Sequence, residues 1–258
     1  MSKTVMLIHG MWGGPWYFEK FKKHFTAKGY RCITPTLRHH DVDPNQLPDP
    51  ALGTTGLLDY AADLEAEISK LEEKPVLIGH SMGGLLAMIL ASRDLAAAAV
   101  ALTPAAPAGI NAITPSVVRS FFSVQTKWGF WKQPMRQTYN EAVYSMLNLL
   151  SPAEQKEAYS SFVYESGRAA FQIGYPYLDS QKASRIDESS VTCPLLIIGG
   201  QEDRITPISV IRKVAKKFDQ QADYKEFAGH AHWIIAEPGW EEVAGYASNW
   251  IEQKLADK

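Results

Sequence analysis

The sequence predicts an α/β fold: a doubly wound, mostly parallel sheet with helices on both faces and a helical cap insertion. Three observations carry this. Short continuous apolar runs recur along the chain, as expected of parallel strands covered on both faces. Helix-period segments separate them, which is the strand–helix alternation of right-handed crossovers. One stretch, residues 107–190, breaks the alternation without any clear strand.

The apolar runs are Val5–Ile8, Cys32–Leu37, Val76–Ile78, Ala97–Leu102 and Leu195–Ile198, with a weaker alternating run at Tyr224–Phe227. Between them, Pro15–Lys28 places Trp16, Phe18, Phe21 and Phe25 near helical spacing, and Leu57–Leu71 repeats apolar residues at Leu57, Ala61, Leu64 and Ile68. Met82–Ser92 is small and apolar all round, the mark of a helix buried against a sheet. Pro207 opens the segment to Phe218 as a helix-start proline. Trp240–Leu255 carries Val243, Tyr246, Ala247, Trp250 and Ile251 on one face. The stretch 107–190 is rich in aromatics, among them Phe121, Trp128, Trp131, Tyr159, Phe171 and Tyr175. A structureless loop of that length inside a domain is implausible. It reads as a helical cap or lid, so residues 1–106 and 191–258 form the core and 107–190 the cap.

Composition bounds the function. The 258 residues contain 46% hydrophobic and 21% charged residues at a net charge of −2, ordinary for a globular protein. No Lys/Arg run provides a nucleic-acid footprint, so no nucleic-acid partner is expected. The two cysteines, Cys32 and Cys193, each read as buried strand residues. They form neither a disulfide framework nor a metal-binding CxxC, and a reducing compartment is the default. Met1-Ser2-Lys3-Thr4 leads directly into an apolar stretch too short for a signal segment or a membrane span. A cytoplasmic location is the expectation.

The chemistry centres on Gly79-His80-Ser81-Met82-Gly83. Gly-x-Ser-x-Gly is weak alone, but Pro75–Ile78 before it reads as a strand and Met82–Ala87 after it opens a helix. Ser81 is therefore placed on the sharp strand-to-helix turn that the motif requires of a nucleophile. Gly79 and Gly83 leave room for that turn, and Gly84 lets the helix pack closely. The Met82 amide, at the helix N-terminus, is placed to donate to an oxyanion. A second donor is expected from His9-Gly10-Met11-Trp12-Gly13-Gly14 after the first strand, with Met11 chosen and Trp12 next. His9 reads as a brace for that turn. No phosphate-loop pattern is present.

These residues resemble the α/β-hydrolase superfamily, through His9-Gly10 after the first strand, Gly79–Gly84 at the elbow, and Gly199-Gly200-Gln201-Glu202-Asp203 after a late strand. His9-Gly10-x-Trp12-x-Gly14-x-Trp16 resembles the methylesterase and hydroxynitrile lyase branch and its bacterial relatives. The resemblance implies an α/β-hydrolase fold, a Ser-His-Asp triad, no cofactor and no metal, and a cap over the site.

Asp203 is the expected acid, because it lies at the carboxyl end of a strand and can point into the cleft of Ser81. Glu202 reads as a turn carboxylate. Of the seven histidines, His24 lies in an early helix, His39 and His40 in a polar loop read as solvated, and His80 inside the elbow, pointing away from the serine's direction. His230 and His232 remain. The Gly-His pair favours His230. His232 stands five residues before Glu237, as the base does in the relatives, and the turn length after the last strand reaches it. His232 is preferred and His230 is the alternative base.

The expected activity is hydrolysis of a carboxylic ester of a small, largely apolar substrate through an acyl-enzyme. The same triad would serve C–C bond hydrolysis, lyase or cofactor-free haloperoxidase chemistry. Trp233 stands where hydroxynitrile lyases typically place a lysine, which disfavours the lyase. A non-catalytic binding protein with the same pocket is the reading from a different class.

Overall fold

In a computed structural model, the described residues are 3–256. The part of the sequence reading that concerns Met1 and Ser2 lies outside them. The chain runs β1 (Thr4–Ile8), α1 (Glu19–Ala27), β2 (Arg31–Ile33), α2 (Leu57–Ile68), β3 (Val76–His80), α3 (Met82–Ala91) and β4 (Ala98–Leu102). It continues with α4 (Pro115–Ser120), α5 (Phe122–Gln125), β5 (Pro134–Met135), α6 (Tyr139–Ser145), α7 (Pro152–Ser160), β6 (Glu165–Ser166) and α8 (Gly167–Gly174). It closes with β7 (Leu195–Gly200), α9 (Ile208–Lys217), β8 (Ala222–Phe227) and α10 (Trp240–Ala256).

Six strands form one parallel sheet in the order β2-β1-β3-β4-β7-β8. The central strands β3, β4 and β7 are buried at every residue, whereas the edge strands β2 and β8 are part-exposed. That is why the central strands read as continuous apolar runs and β8 alternates. The order reverses between β1 and β3, and the crevice at the carboxyl ends of these strands is where such sheets bind ligands. The loop after β1 and the turn after β3 both open there.

Three readings are revised. β2 stops at Ile33, because Pro35 cannot extend a ladder. The regular structure within residues 107–190 is mostly helical but also includes the two-residue antiparallel pair β5–β6, too short to show a strand period. Cys193 is buried in the loop before β7 rather than within it, and Cys32 is only half-buried because β2 is an edge; neither forms a disulfide. Among the described residues, no helix is long and apolar enough to cross a membrane.

The helices between β4 and β7 have local start signals. Thr138 and Ser151 each form a capping box, with Glu141 and Glu154 respectively. The segment is tied to the rest of the molecule by polar bonds. Val163 N–H donates to the Trp12 carbonyl at 2.9 Å, and Leu57 N–H donates to Gln172 Oε1 at 2.8 Å. Arg136 donates to the Pro44 carbonyl at 3.1 Å.

Candidate active site

Ser81 is the N-cap of α3 and has φ 56° and ψ −119°. A non-glycine residue in this region costs about 1–3 kcal/mol, so the surroundings must hold it. They do. Ser81 N–H donates to the Leu102 carbonyl at 3.0 Å, and its own carbonyl accepts from Ala105 N–H at 3.0 Å. The flanking glycines have no room for a side chain: a Cβ on Gly79 would run into the Gly83 carbonyl, and one on Gly83 into the Ile8 carbonyl. A Cβ on Gly10 would lie 2.9 Å from the Ser81 Cβ, so the loop after β1 sits directly against the serine.

Asp203 and His232 are brought together. His232 Nδ1 lies 2.7 Å from Asp203 Oδ2, both side chains fully buried. Asp203 Oδ1 accepts from the amides of Ile205 and Thr206, each at 2.8 Å. Oδ2 also accepts from Thr206 Oγ1 at 2.7 Å. Four donors thus fix this carboxylate in one orientation. With Nδ1 toward the carboxylate, His232 Nε2 is buried and without a protein partner among the described residues.

His230 is placed differently. Its Nδ1 pairs with Glu237 Oε1 at 3.0 Å, and its ring lies against Gly239. Glu237 Oε1 also accepts from Ala231 N–H at 2.7 Å. The glutamate whose spacing was used to choose between the histidines is therefore the partner of His230. Glu202 is exposed, and its amide donates to the His230 carbonyl at 2.8 Å.

Two participants escaped the sequence reading. His80 Nε2 donates to the His232 carbonyl at 2.7 Å, with the two rings 4.8 Å apart. Burial, with His232 nearby, holds His80 well below the ordinary histidine pKa, so it is a neutral donor. Thr206 bridges Asp203 and the Thr103 carbonyl, the latter at 3.2 Å. Its only sequence signal was its place just before the helix-start proline. The polar-loop reading of His40 also needs correction: it is buried and pairs with Glu165 at 3.1 Å.

Ser81, Met82, Met11, Trp12 and Thr206 line one cavity of about 550 Å³. The rest of its wall comes largely from the segment between β4 and β7, including Ile110, Phe121, Val124, Phe130 and Ile173. No charged side chain lines it. The arrangement offers an apolar chamber, a serine at a helix N-terminus, and a buried carboxylate–imidazole pair.

The profile of the Alpha/beta hydrolase family matches residues 5–245. Among curated proteins, an sn-1-specific diacylglycerol lipase of Mus musculus is 32% identical over 90 residues, 34% of this chain and 27% of that protein. Methylesterase 7 of Arabidopsis thaliana is 30% identical over 93 residues, 35% of this chain and 34% of the relative. The matched part thus spans about a third of each curated relative or less. Among solved structures, the Arabidopsis methylesterase MES16 superposes with a TM-score of 0.71 at 12% identity, covering 96% of this chain and 98% of that one. Polyneuridine aldehyde esterase gives 0.69 at 16% identity, covering 96% and 99%. A pyrethroid hydrolase from Sphingobium faniae JZ-2 gives 0.70 at 17% identity, covering 96% and 97%. With the family profile matched along residues 5–245, nearly its whole length, the chain belongs to the alpha/beta hydrolase family.

Proposed function

We propose that the protein is a serine hydrolase that cleaves carboxylic esters of small, largely apolar substrates. The observation that carries this reading is the Asp203–His232 pair at 2.7 Å, with the far nitrogen of the imidazole unpartnered among the described residues and with Thr206, which bonds Asp203, lining the same cavity as the strained Ser81. The names of the partial relatives, a lipase and methylesterases, support ester chemistry.

The mechanism follows from the groups present. His232 Nε2 takes the proton of Ser81 as its oxygen attacks the ester carbonyl. Asp203 holds the ring with Nδ1–H toward itself and stabilises the imidazolium. The carbonyl oxygen, becoming an anion, is held by the amides of Met82 and Met11. Collapse expels the alcohol, which receives the proton from His232. Water, deprotonated by the same nitrogen, then releases the acid and restores Ser81. Residues 107–190 act as a cap that shapes the acyl and alcohol pockets, and their uncharged wall favours apolar groups.

A fluorophosphonate probe and a panel of nitrophenyl esters of rising acyl length test this directly. Labelling at Ser81 is expected, with turnover lost in Ser81→Ala. A folded protein that resists the probe and retains its turnover in Ser81→Ala would overturn the reading.

A further inference from the structure

Behind the loop that carries Met11 lies a buried polar cluster that the triad does not use. His9 Nε2 accepts from Leu37 N–H at 3.2 Å, so that nitrogen carries no proton. The proton is therefore on Nδ1, which donates to the Gly10 carbonyl at 2.9 Å. The Gly10 carbonyl and the Met11 N–H belong to one peptide unit, and in a trans peptide they point in opposite directions. Pulling the carbonyl toward His9 turns the Met11 N–H the other way. Gly10 abuts the Ser81 Cβ, and Met11 lines the cavity beside it.

The next two carbonyls are also held. Tyr17 OH donates to the Met11 carbonyl at 2.8 Å, and Val163 N–H to the Trp12 carbonyl at 2.9 Å. His40 stands behind His9, with ring centroids 5.2 Å apart. Its Nε2 pairs with Glu165 Oε2 at 3.1 Å, and its Nδ1 with the Arg38 carbonyl at 3.0 Å. Glu165 also accepts from Tyr60 OH at 2.7 Å and from Ser166 N–H at 2.6 Å. Glu165 comes from β6, within residues 107–190, whereas His9, His40 and Tyr60 come from the core side.

We propose that His9 is a positioning residue for the Met11 oxyanion donor, and that the His40–Glu165 pair holds it in place and makes that donor's geometry depend on the seating of residues 107–190. This rests on the ester-hydrolase reading above. Electrostatics agree with the geometry. Burial, reinforced by the facing His40, holds His9 down at about 3, so it keeps a single proton. Burial opposes the charged form of His40, but the Glu165 carboxylate outweighs it and holds His40 above its ordinary value. Burial first, and the charge on His40 second, keep a second proton off His9.

The test compares full-length His9→Asn, His9→Gln, His9→Ala and Glu165→Gln on a nitrophenyl ester, reading kcat and KM separately. An asparagine amide can donate from near the Nδ1 position, whereas a glutamine amide reaches toward Nε2. Loss of one oxyanion donor costs about 100-fold or more in kcat, so His9→Ala and His9→Gln are expected to lose about 30–100-fold with KM within about 3-fold. His9→Asn is expected to recover about 10-fold of this, and Glu165→Gln to lose about 5–10-fold in kcat. A trifluoromethyl ketone, which forms an oxyanion on Ser81, should lose affinity in parallel with kcat. Equal kcat for His9→Asn and His9→Gln, or losses confined to KM, would overturn the proposal. The Asn–Gln comparison decides it even if His9→Ala does not fold. Turnover that survives Ser81→Ala overturns the hydrolase reading itself; loss in Ser81→Ala with unaffected His9 variants overturns the positioning role alone.

Discussion

At the scale of single residues, the two histidines after β8 differ in one respect: which carboxylate each meets. His232→Ala removes the imidazole paired with Asp203, and kcat is expected to fall about 1,000-fold or more in steady-state assays. His230→Ala leaves kcat within about 10-fold but takes the imidazole from the fully buried Glu237, whose Oε1 keeps only the Ala231 amide. Loss of one of the two partners of a buried carboxylate oxygen costs about 1–3 kcal/mol, read as a lower denaturation midpoint. Thr206→Val deletes one of four donors to Asp203 while keeping the side-chain shape. One such bond is worth about 1–1.5 kcal/mol, so kcat is expected to drop about 10-fold with folding intact by circular dichroism. Ser81 and Asp203 stand out as candidates because local sequence marks them, glycines about a strand–helix turn and the end of an apolar run. Thr206 and Glu237 lie only three and seven residues from the side chains they bond, but no local pattern marks either contact, and His80 bonds His232 from 152 positions away.

At the scale of elements, the turn between β3 and α3 is a packing solution as much as a chemical one. Strand, serine and helix fit only because Gly79 and Gly83 let backbone approach backbone. Gly79→Ala should therefore destabilise the fold by about 3 kcal/mol or more, since rigid main chain cannot yield as a side chain would. Thermal unfolding checks this. The helices of residues 107–190 depend more on local signals. Ser151 bonds the amide of Glu154, whose carboxylate returns to Ser151. Ser151→Ala should cost about 1 kcal/mol by denaturant titration and leave kcat unchanged, because α7 has no residue in the cavity wall. Each cap is a Thr or Ser followed by Glu three residues later, a signal confined to one turn. The β5–β6 pair has no such signal, because two residues carry no period.

At the scale of the whole molecule, the His40–Glu165 pair links the core to the segment that roofs the cavity. Its pH dependence can be given a sign. His40 is held above its ordinary value of 6.5, so its contribution is complete below that pH and is lost as pH rises through the higher folded value. Burial favours protonation of Glu165, but His40 and the hydrogen bonds outweigh it and hold the carboxyl below its ordinary value of 4.5. That contribution is complete above 4.5 and is lost as pH falls through the lower folded value. The stability difference between wild type and Glu165→Gln should be greatest between about pH 4.5 and 6.5 and shrink on either side. Melting temperatures across pH 4–9 measure it. A difference that grows steadily with pH would contradict the pairing.

The sequence by itself determined the parallel α/β sheet and the glycine-flanked turn that carries Ser81, and it nominated Asp203 with His232, or His230 as the alternative, as its partners. These are encoded by local rules: apolar runs, glycines at a forced turn, and chain order along a doubly wound sheet. Tertiary structure decided which carboxylate each histidine meets, which hydroxyl and imidazole support the pair, and how a histidine just after β1, another from the loop after β2 and a glutamate from β6 close into one buried cluster. Those facts depend on contacts between residues far apart in the chain, 125 positions for His40 and Glu165 and 152 for His80 and His232. Sequence spacing carries no signal at that range, because the geometry is set by packing of whole elements rather than by any repeat along the chain.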